Sequence, residues 1–224
     1  MARSDPARPA PARRLAPGLA RGQDGQPRCA WCVGSPEYVR YHDEEWGWPS
    51  AEEVPLFEKL CLEGFQAGLS WLTILRKRPA FRAAFAGFEP AKLARFGARD
   101  VARLLADEGI VRHRGKIEAA IENAKALQAL HAGGETLAAL VWRHAPAPAS
   151  RPRRLTLAAA RALTATPESK ALSKALQQRG FRFVGPTTVY AFMQAKGLVD
   201  DHLEGCCARP WVERAREVFR APNP

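Results

Sequence analysis

The sequence predicts an all-α fold, and three observations carry that reading. Apolar residues recur at helical spacing from Cys29 almost to the end, no segment shows the strict alternation of a half-buried strand, and helix starts are marked by Ser or Thr followed by Pro and Glu. Ser35-Pro36-Glu37 is such a start, opening a helix through Tyr41 and His42. Ser50-Ala51-Glu52-Glu53 opens the next, with Leu56, Phe57, Leu60 and Cys61 on its apolar face. Residues 70–86 read as a helix broken at Pro79, and Pro90 to Phe96 as a short one. Val101, Leu104 and Leu105 belong to a helix stopped by Gly109. Gly115 precedes a long amphipathic helix marked by Ile117, Ala120, Ile121, Ala124 and Leu127. Residues 144–155, rich in Pro, Ala and Arg, read as a connecting loop. Thr166-Pro167-Glu168 starts a helix that ends at Gly180, and Thr187 to Ala195 supplies another.

A chain of 224 residues that is 46% hydrophobic can bury a substantial core. We read 1–27 as a disordered basic extension, 28–208 as the folded domain and 209–224 as a tail with a short helical pattern (Trp211, Ala215, Val218, Phe219). No run of about 18 apolar residues is long enough to span a bilayer, and no apolar signal core opens the chain. Five cysteines, two of them adjacent (Cys206 and Cys207), fit a reducing compartment, the cytoplasm, better than a disulfide framework. The net charge is +11, of which +4 lies in residues 1–28; the basic remainder points to a polyanionic partner, nucleic acid above all.

Five groups of residues can carry chemistry. Cys29 with His42 and His202 with Cys206 make a Cys₂His₂ set, suited to tetrahedral Zn²⁺ with no open position and hence to a structural site joining the two ends. The spacing also allows buried apolar cysteines, or a CxxC pair formed by Cys29 and Cys32. Gly180-Phe181-Arg182-Phe183-Val184-Gly185-Pro186-Thr187-Thr188, between two helices, has the pattern of a helix-hairpin-helix element. Its Gly180, Gly185 and Thr187 would bring backbone N–H groups to a DNA phosphate, although an ordinary turn has the same glycines. In Glu63-Gly64-Phe65-Gln66-Ala67-Gly68-Leu69-Ser70-Trp71 a carboxylate, two glycines and an indole crowd the space between helices, as a recognition site or as a helix end with a core Trp. Trp31, Tyr41, Trp46 and Trp71 form a candidate aromatic pocket for a flat or cationic ligand such as a flipped base. Arg112-His113-Arg114-Gly115-Lys116 is a basic knuckle, either solvated or contacting phosphate.

The segments CAWC, SPEYVRYHDEEWG, LFEKLCLEGFQAGLSW, GIVRHRGKI and LSKALQQRGFRFVGPTTVYAFMQAKGLVDDH, with the closing GCC, occur in the order in which they stand in one family. Over about residues 29–207 the chain resembles the DNA-3-methyladenine glycosylase I family of the helix-hairpin-helix glycosylases. The resemblance implies a monofunctional hydrolase, without lyase activity, that releases 3-methyladenine from alkylated double-stranded DNA. It implies a structural zinc on Cys29, His42, His202 and Cys206. It also implies a base pocket of Glu63, Tyr41, Trp46 and Trp71 with Trp31 nearby, Glu63 acting in catalysis and recognition. Leu69 is expected to plug the gap left in the duplex, and the protein to act as a monomer away from membranes. Asp200 stands where related glycosylases carry a catalytic Asp; it serves either there or as a support for His202. A zinc-stapled DNA-binding module without activity, and a glycosylase of wider lesion range in which Phe65 reshapes the pocket, are the rival readings.

Overall fold

The computed structural model describes residues 14–152 and 154–222. It opens on a two-stranded antiparallel hairpin, β1 (Leu19–Arg21) and β2 (Pro27–Cys29), with Leu19 opposite Cys29. Eleven α-helices follow among the described residues: α1 (Pro36–Glu44), α2 (Glu53–Gln66), α3 (Trp71–Ala84), α4 (Pro90–Leu93), α5 (Ala98–Ala106), α6 (Arg114–Ala132), α7 (Leu137–Trp142), α8 (Leu157–Ala162), α9 (Pro167–Gln178), α10 (Pro186–Ala195) and α11 (Arg209–Val218). None of them is long and apolar enough to cross a membrane.

Local chemistry places most of these starts. Ser35 accepts from the backbone N–H of Tyr38, Ser70 from that of Thr73, and Thr166 shares a reciprocal pair of bonds with Ser169. The core is organised around α2, which packs against α3, α6, α7 and α10. Every residue of α2 from Leu56 to Phe65 is buried, so this helix runs through the protein with no solvent face. Phe65, Phe81, Phe85 and Phe88 stack in sequence across it, with ring centroids 4.7–5.9 Å apart. A second, smaller cluster of Cys29, Leu155, Leu203, Cys206 and Ala208 joins the end of β2 to the 203–208 segment.

Several expectations need correction. The extension read as disordered through residue 27 contains β1 and the start of β2; of it, residues 1–13 lie outside the described residues. Arg28, a residue only 7% exposed, holds the hairpin down: its guanidinium pairs with Asp24 at 2.7 Å and with Asp43 of α1 at 2.9 Å. Backbone bonds from Ala30 to Gly18 and from Cys207 to Pro27 complete the docking. Helix α3 continues through Pro79, because Ile74, Leu75, Phe81 and Ala84 are packed in the core on either side of the lost N–H bond. Helices α7 and α8 lie where no periodic pattern announced them: residues 137–141 are all buried, and α8 is mostly alanine. The tail docks as α11, with Val212 fully buried, Phe219 against Trp142 at 4.5 Å, and Arg209 donating to the carbonyl of His202 at 2.6 Å.

Candidate active site

A cleft of about 550 Å³ opens between α1, α2 and the start of α3 on one side and α8, α10 and the 201–203 segment on the other. Trp31, Tyr41, Trp46, Glu63 and Trp71, the residues assigned to a base pocket, all line it. Trp31 meets Trp46 edge to face at 5.1 Å, and Tyr41 lies 5.3 Å from Trp71. The sequence reading missed Tyr38, which packs on Trp31 at 4.8 Å, and Gln66, one helical turn beyond Glu63 on α2. It also missed the opposite wall, including Ala160 and Arg161 of α8. Phe65 is not in the cleft; it is buried on the other side of α2 among Phe81 and Phe85 and does not reshape the site.

Glu63 lies at the inner wall, 4% exposed, and its Oε1 is 2.7 Å from Nζ of Lys59 one turn earlier on α2. Lys59 also donates to the Tyr41 hydroxyl at 2.9 Å and lies 3.0 Å from the centre of the Trp71 ring. Burial lowers Lys59 from its ordinary value to about 8, with Glu63 pulling in the opposite sense. The other charged or titratable groups near it are Tyr41 and Glu45 from the α1 segment, Glu58 of α2, Arg78 and Arg82 of α3, and Lys196 after α10. The ammonium that binds Glu63 and Tyr41 is therefore lost as pH rises through about 8. The charged contact that holds Glu63 and Tyr41 weakens there, and the activity of the cleft should fall along an alkaline limb centred near pH 8. A pH–rate profile that stays flat to pH 9.5 would contradict this.

Behind the aromatic wall, the ligand atoms of Cys29, His42 and Cys206 lie within 4.8 Å of one another, all buried. His42 Nδ1 is held by Asp43 at 2.6 Å, which leaves Nε2 facing Cys206 Sγ at 3.5 Å. The hydrogen bond from Cys29 holds the Cys206 thiol well below its ordinary value, against the cost of burial, and His42 adds to the effect. Cys29 is pushed up correspondingly, first by the bond it donates. His202 stands beside this trio rather than within it: its ring is 4.7 Å from that of His42, and its Nε2 lies 3.3 Å from the His42 carbonyl. Its Nδ1 is fixed by Asp200 at 2.7 Å, and the same carboxylate oxygen accepts from the His202 backbone at 3.0 Å. Asp200 is thus a support for His202. Of these two neighbours it is Asp201 that lines the cleft, already engaged by Arg151, Tyr190 and Gln194. Trp31 packs on His42 at 5.2 Å and Trp46 on His202 at 4.7 Å, so the Cys/His cluster backs two walls of the cleft.

Beside the cleft mouth, the α2–α3 loop carries Leu69, one of the few large exposed apolar residues, on a turn that Gly68 permits at φ +83°. Lys116 fixes this loop from below, donating to the carbonyls of Phe65 at 2.9 Å and Ala67 at 2.5 Å. It therefore leaves the basic knuckle and points inward, whereas Arg112 and Arg114 remain at the surface. Helices α9 and α10 are joined by the turn containing Gly180, at φ +88°, and Gly185, the residue capping α10, with Thr187 exposed in its first turn. Asn123 of α6 holds this turn through both backbone groups of Arg182, at 2.7 and 3.1 Å. Phe183 at its tip reaches His113, 6.4 Å between ring centres. The turn, the knuckle and the Leu69 loop therefore neighbour one another.

A cleft walled by indole and phenol rings, with a buried carboxylate at its inner wall, is built for a flat heteroaromatic group with a polar edge. Comparison with known proteins agrees. The profile of a family described as methyladenine glycosylase matches residues 31–209. Over 183 residues the chain is 49% identical to DNA-3-methyladenine glycosylase 1 of Escherichia coli (strain K12), covering 82% of this chain and 97% of that protein. It is 47% identical to DNA-3-methyladenine glycosylase of Haemophilus influenzae, over 80% of this chain and 96% of the relative. A crystal structure of 3-methyladenine DNA glycosylase I superposes with a TM-score of 0.75 at 49% identity, covering 80% and 98% of the two chains. The enzyme from Staphylococcus aureus, solved to explain 3-methyladenine recognition, gives 0.73 at 39% identity, covering 82% and 96%. The chain belongs to the methyladenine glycosylase family.

Proposed function

We propose that this protein is a base-excision repair glycosylase that extrudes a 3-methyladenine nucleotide from alkylated double-stranded DNA and hydrolyses its N-glycosidic bond. The observation that carries the reading is Glu63, buried and ion-paired at the inner wall of an aromatic cleft, in a chain of this family. Methylation at N3 makes the adenine cationic, so the base departs as a neutral molecule and needs little general-acid assistance. The protein's task is to unstack the nucleotide, which costs a few kcal/mol, and to hold the base while water attacks the sugar. Glu63 Oε2 accepts from the adenine amino group, and Tyr41, Trp46 and Trp71 enclose the ring. The α9–α10 turn acts as a helix-hairpin-helix, presenting N–H groups at Gly185 and Thr187 to a phosphate, while Leu69 fills the vacated stack. The protein needs no second copy to complete this site, and we assign it as a monomer.

Release of free 3-methyladenine from methylated DNA tests the assignment; a DNA-binding module without activity releases none. Leu69→Ala should slow single-turnover release by about tenfold, equivalent to ~1.4 kcal/mol of lost support for the extruded state. Affinity for the free base should stay unchanged, because Leu69 lies outside the cleft lining. A matching loss of free-base affinity would place Leu69 in the pocket and count against a plug.

Zinc suits the Cys/His cluster by donor chemistry: two buried cysteines, His42 with Nδ1 held by Asp43 and Nε2 facing Cys206, and His202 with Nδ1 held by Asp200, whose Nε2 would turn from the His42 carbonyl to ligate. Cys29, His42, His202 and Cys206 would hold the ion. Its contribution there is structural, fixing the hairpin, α1 and the 202–206 segment in one position behind Trp31 and Trp46.

A further inference from the structure

Lys59 is a buried charge to which the proposed chemistry assigns no contact with the base. An ammonium group has three N–H donors and accepts nothing. Here they meet three different partners: Glu63 Oε1 at 2.7 Å, the Tyr41 hydroxyl at 2.9 Å and the face of Trp71 at 3.0 Å from its centre. All three partners line the cleft, whereas Lys59 does not; it stands behind them, bordering a small cavity on the far side. Trp71 adds a second observation. Its Nε1 is buried and finds no hydrogen-bond partner among the described residues, so the indole is held by its face rather than by its N–H.

We infer that Lys59 is a positioning residue that sets the hydrogen-bond pattern of the pocket and thereby its preference for adenine over guanine lesions. The inference rests on the glycosylase reading above. Because Lys59 donates to Tyr41, the phenol oxygen is occupied as an acceptor and its proton is left to be donated. Because Lys59 takes Glu63 Oε1, the carboxylate keeps Oε2 as its free acceptor. The pocket thus offers one acceptor and one donor side by side. An adenine edge presents a matching amino donor and N7 acceptor, while guanine presents two acceptors, O6 and N7, one of which would face the carboxylate. A buried acceptor facing an acceptor is a strong basis for rejection, since neither group recovers the hydrogen bond it gave up to water. The ammonium also balances the charge of Glu63, so selection is by hydrogen-bond pattern and ring stacking rather than by attraction of any cationic base.

The test is single-turnover release of 3-methyladenine and 3-methylguanine from the same methylated DNA by wild type, Lys59→Met and Lys59→Arg, each with its melting temperature. Lys59→Met should lower release of 3-methyladenine by about tenfold and the adenine-to-guanine ratio by a similar factor, ~1.4 kcal/mol each. The double variant Lys59→Met/Glu63→Gln should be no slower than Glu63→Gln alone, since both act through one contact. Lys59→Arg keeps the charge, but its planar fork cannot reach three divergent partners, so the ratio should fall at least about threefold with folding intact. That variant decides the matter if Lys59→Met does not fold. A ratio within twofold of wild type in either folded variant overturns the inference, as do losses that multiply in the double variant. A wild type that releases neither base overturns the glycosylase reading instead.

Discussion

Glu63→Gln should reduce release of 3-methyladenine by about a hundredfold or more, equivalent to ~2.7 kcal/mol at the transition state. Two losses combine. The amide cannot neutralise Lys59, a residue only 6% exposed whose ion-pair partner is this carboxylate, so a buried cation is left without a counter-ion. An amide can also turn its NH₂ toward the cleft, setting a donor against the donor edge of the base. Because Glu63 lies far inside the cleft and the Leu69 loop and α9–α10 turn lie outside it, KM for DNA should change much less than kcat. Wild-type kcat and wild-type affinity for the free base in this variant would remove Glu63 from the centre of the mechanism.

Cys206→Ala should lose metal and stability together. Structural zinc contributes on the order of 10 kcal/mol to small domains, and even a fraction of that lowers the melting temperature of a chain this long by roughly 10 °C. The metal-free trio has no equivalent: two cysteines and a histidine whose ligand atoms lie within 4.8 Å of one another make only side-chain contacts such as the 3.5 Å approach of His42 Nε2 to Cys206 Sγ. The expected readings are about one zinc per wild-type chain by elemental analysis, none in the variant, and a melting temperature that a chelator lowers in wild type alone. Activity should decline only as the folded fraction does, since the cluster meets the cleft through the backs of Trp31 and Trp46. A metal-free wild type with an unchanged melting temperature in Cys206→Ala would refute the zinc assignment. The activity readout then separates a staple from a catalytic ion: a fully folded, inactive Cys206→Ala would contradict a purely structural role.

The legible parts of this protein are those whose cause is local. Ser35, Ser70 and Thr166 start helices through bonds to N–H groups three residues away, and a window of that size contains all the needed information. The five aromatic and acidic residues assigned to the pocket do line one cleft, and the segments around Cys29 and Cys206 do meet. That grouping was read from motif order and family resemblance, for neither spacing nor periodicity brings Trp31 beside Trp46 or Cys29 beside Cys206.

What escaped the sequence has a common cause, which is burial on more than one side. Helix α7 is apolar around its circumference and shows no amphipathic period, and α2 buries its charged residues along with its apolar ones. Lys116 reads as surface charge until α6 is placed under the Leu69 loop, where two carbonyls claim it. The residues before Cys29 read as disordered because the ion pairs of Arg28 with Asp24 and Asp43 only form once α1 lies against the hairpin.

By itself, then, the sequence determined the helical class, the main helix starts and the family, and it proposed five residues for the pocket, because each is written in short windows or in an ordered set of motifs. The tertiary structure decided what those residues do to one another. It put Lys59 behind Tyr41, Glu63 and Trp71, put Asp200 on His202, and took Phe65 out of the site. The reason is physical: the donor count of an ammonium, the reach of a carboxylate and the side of a helix that faces the core depend on neighbours distant in the chain.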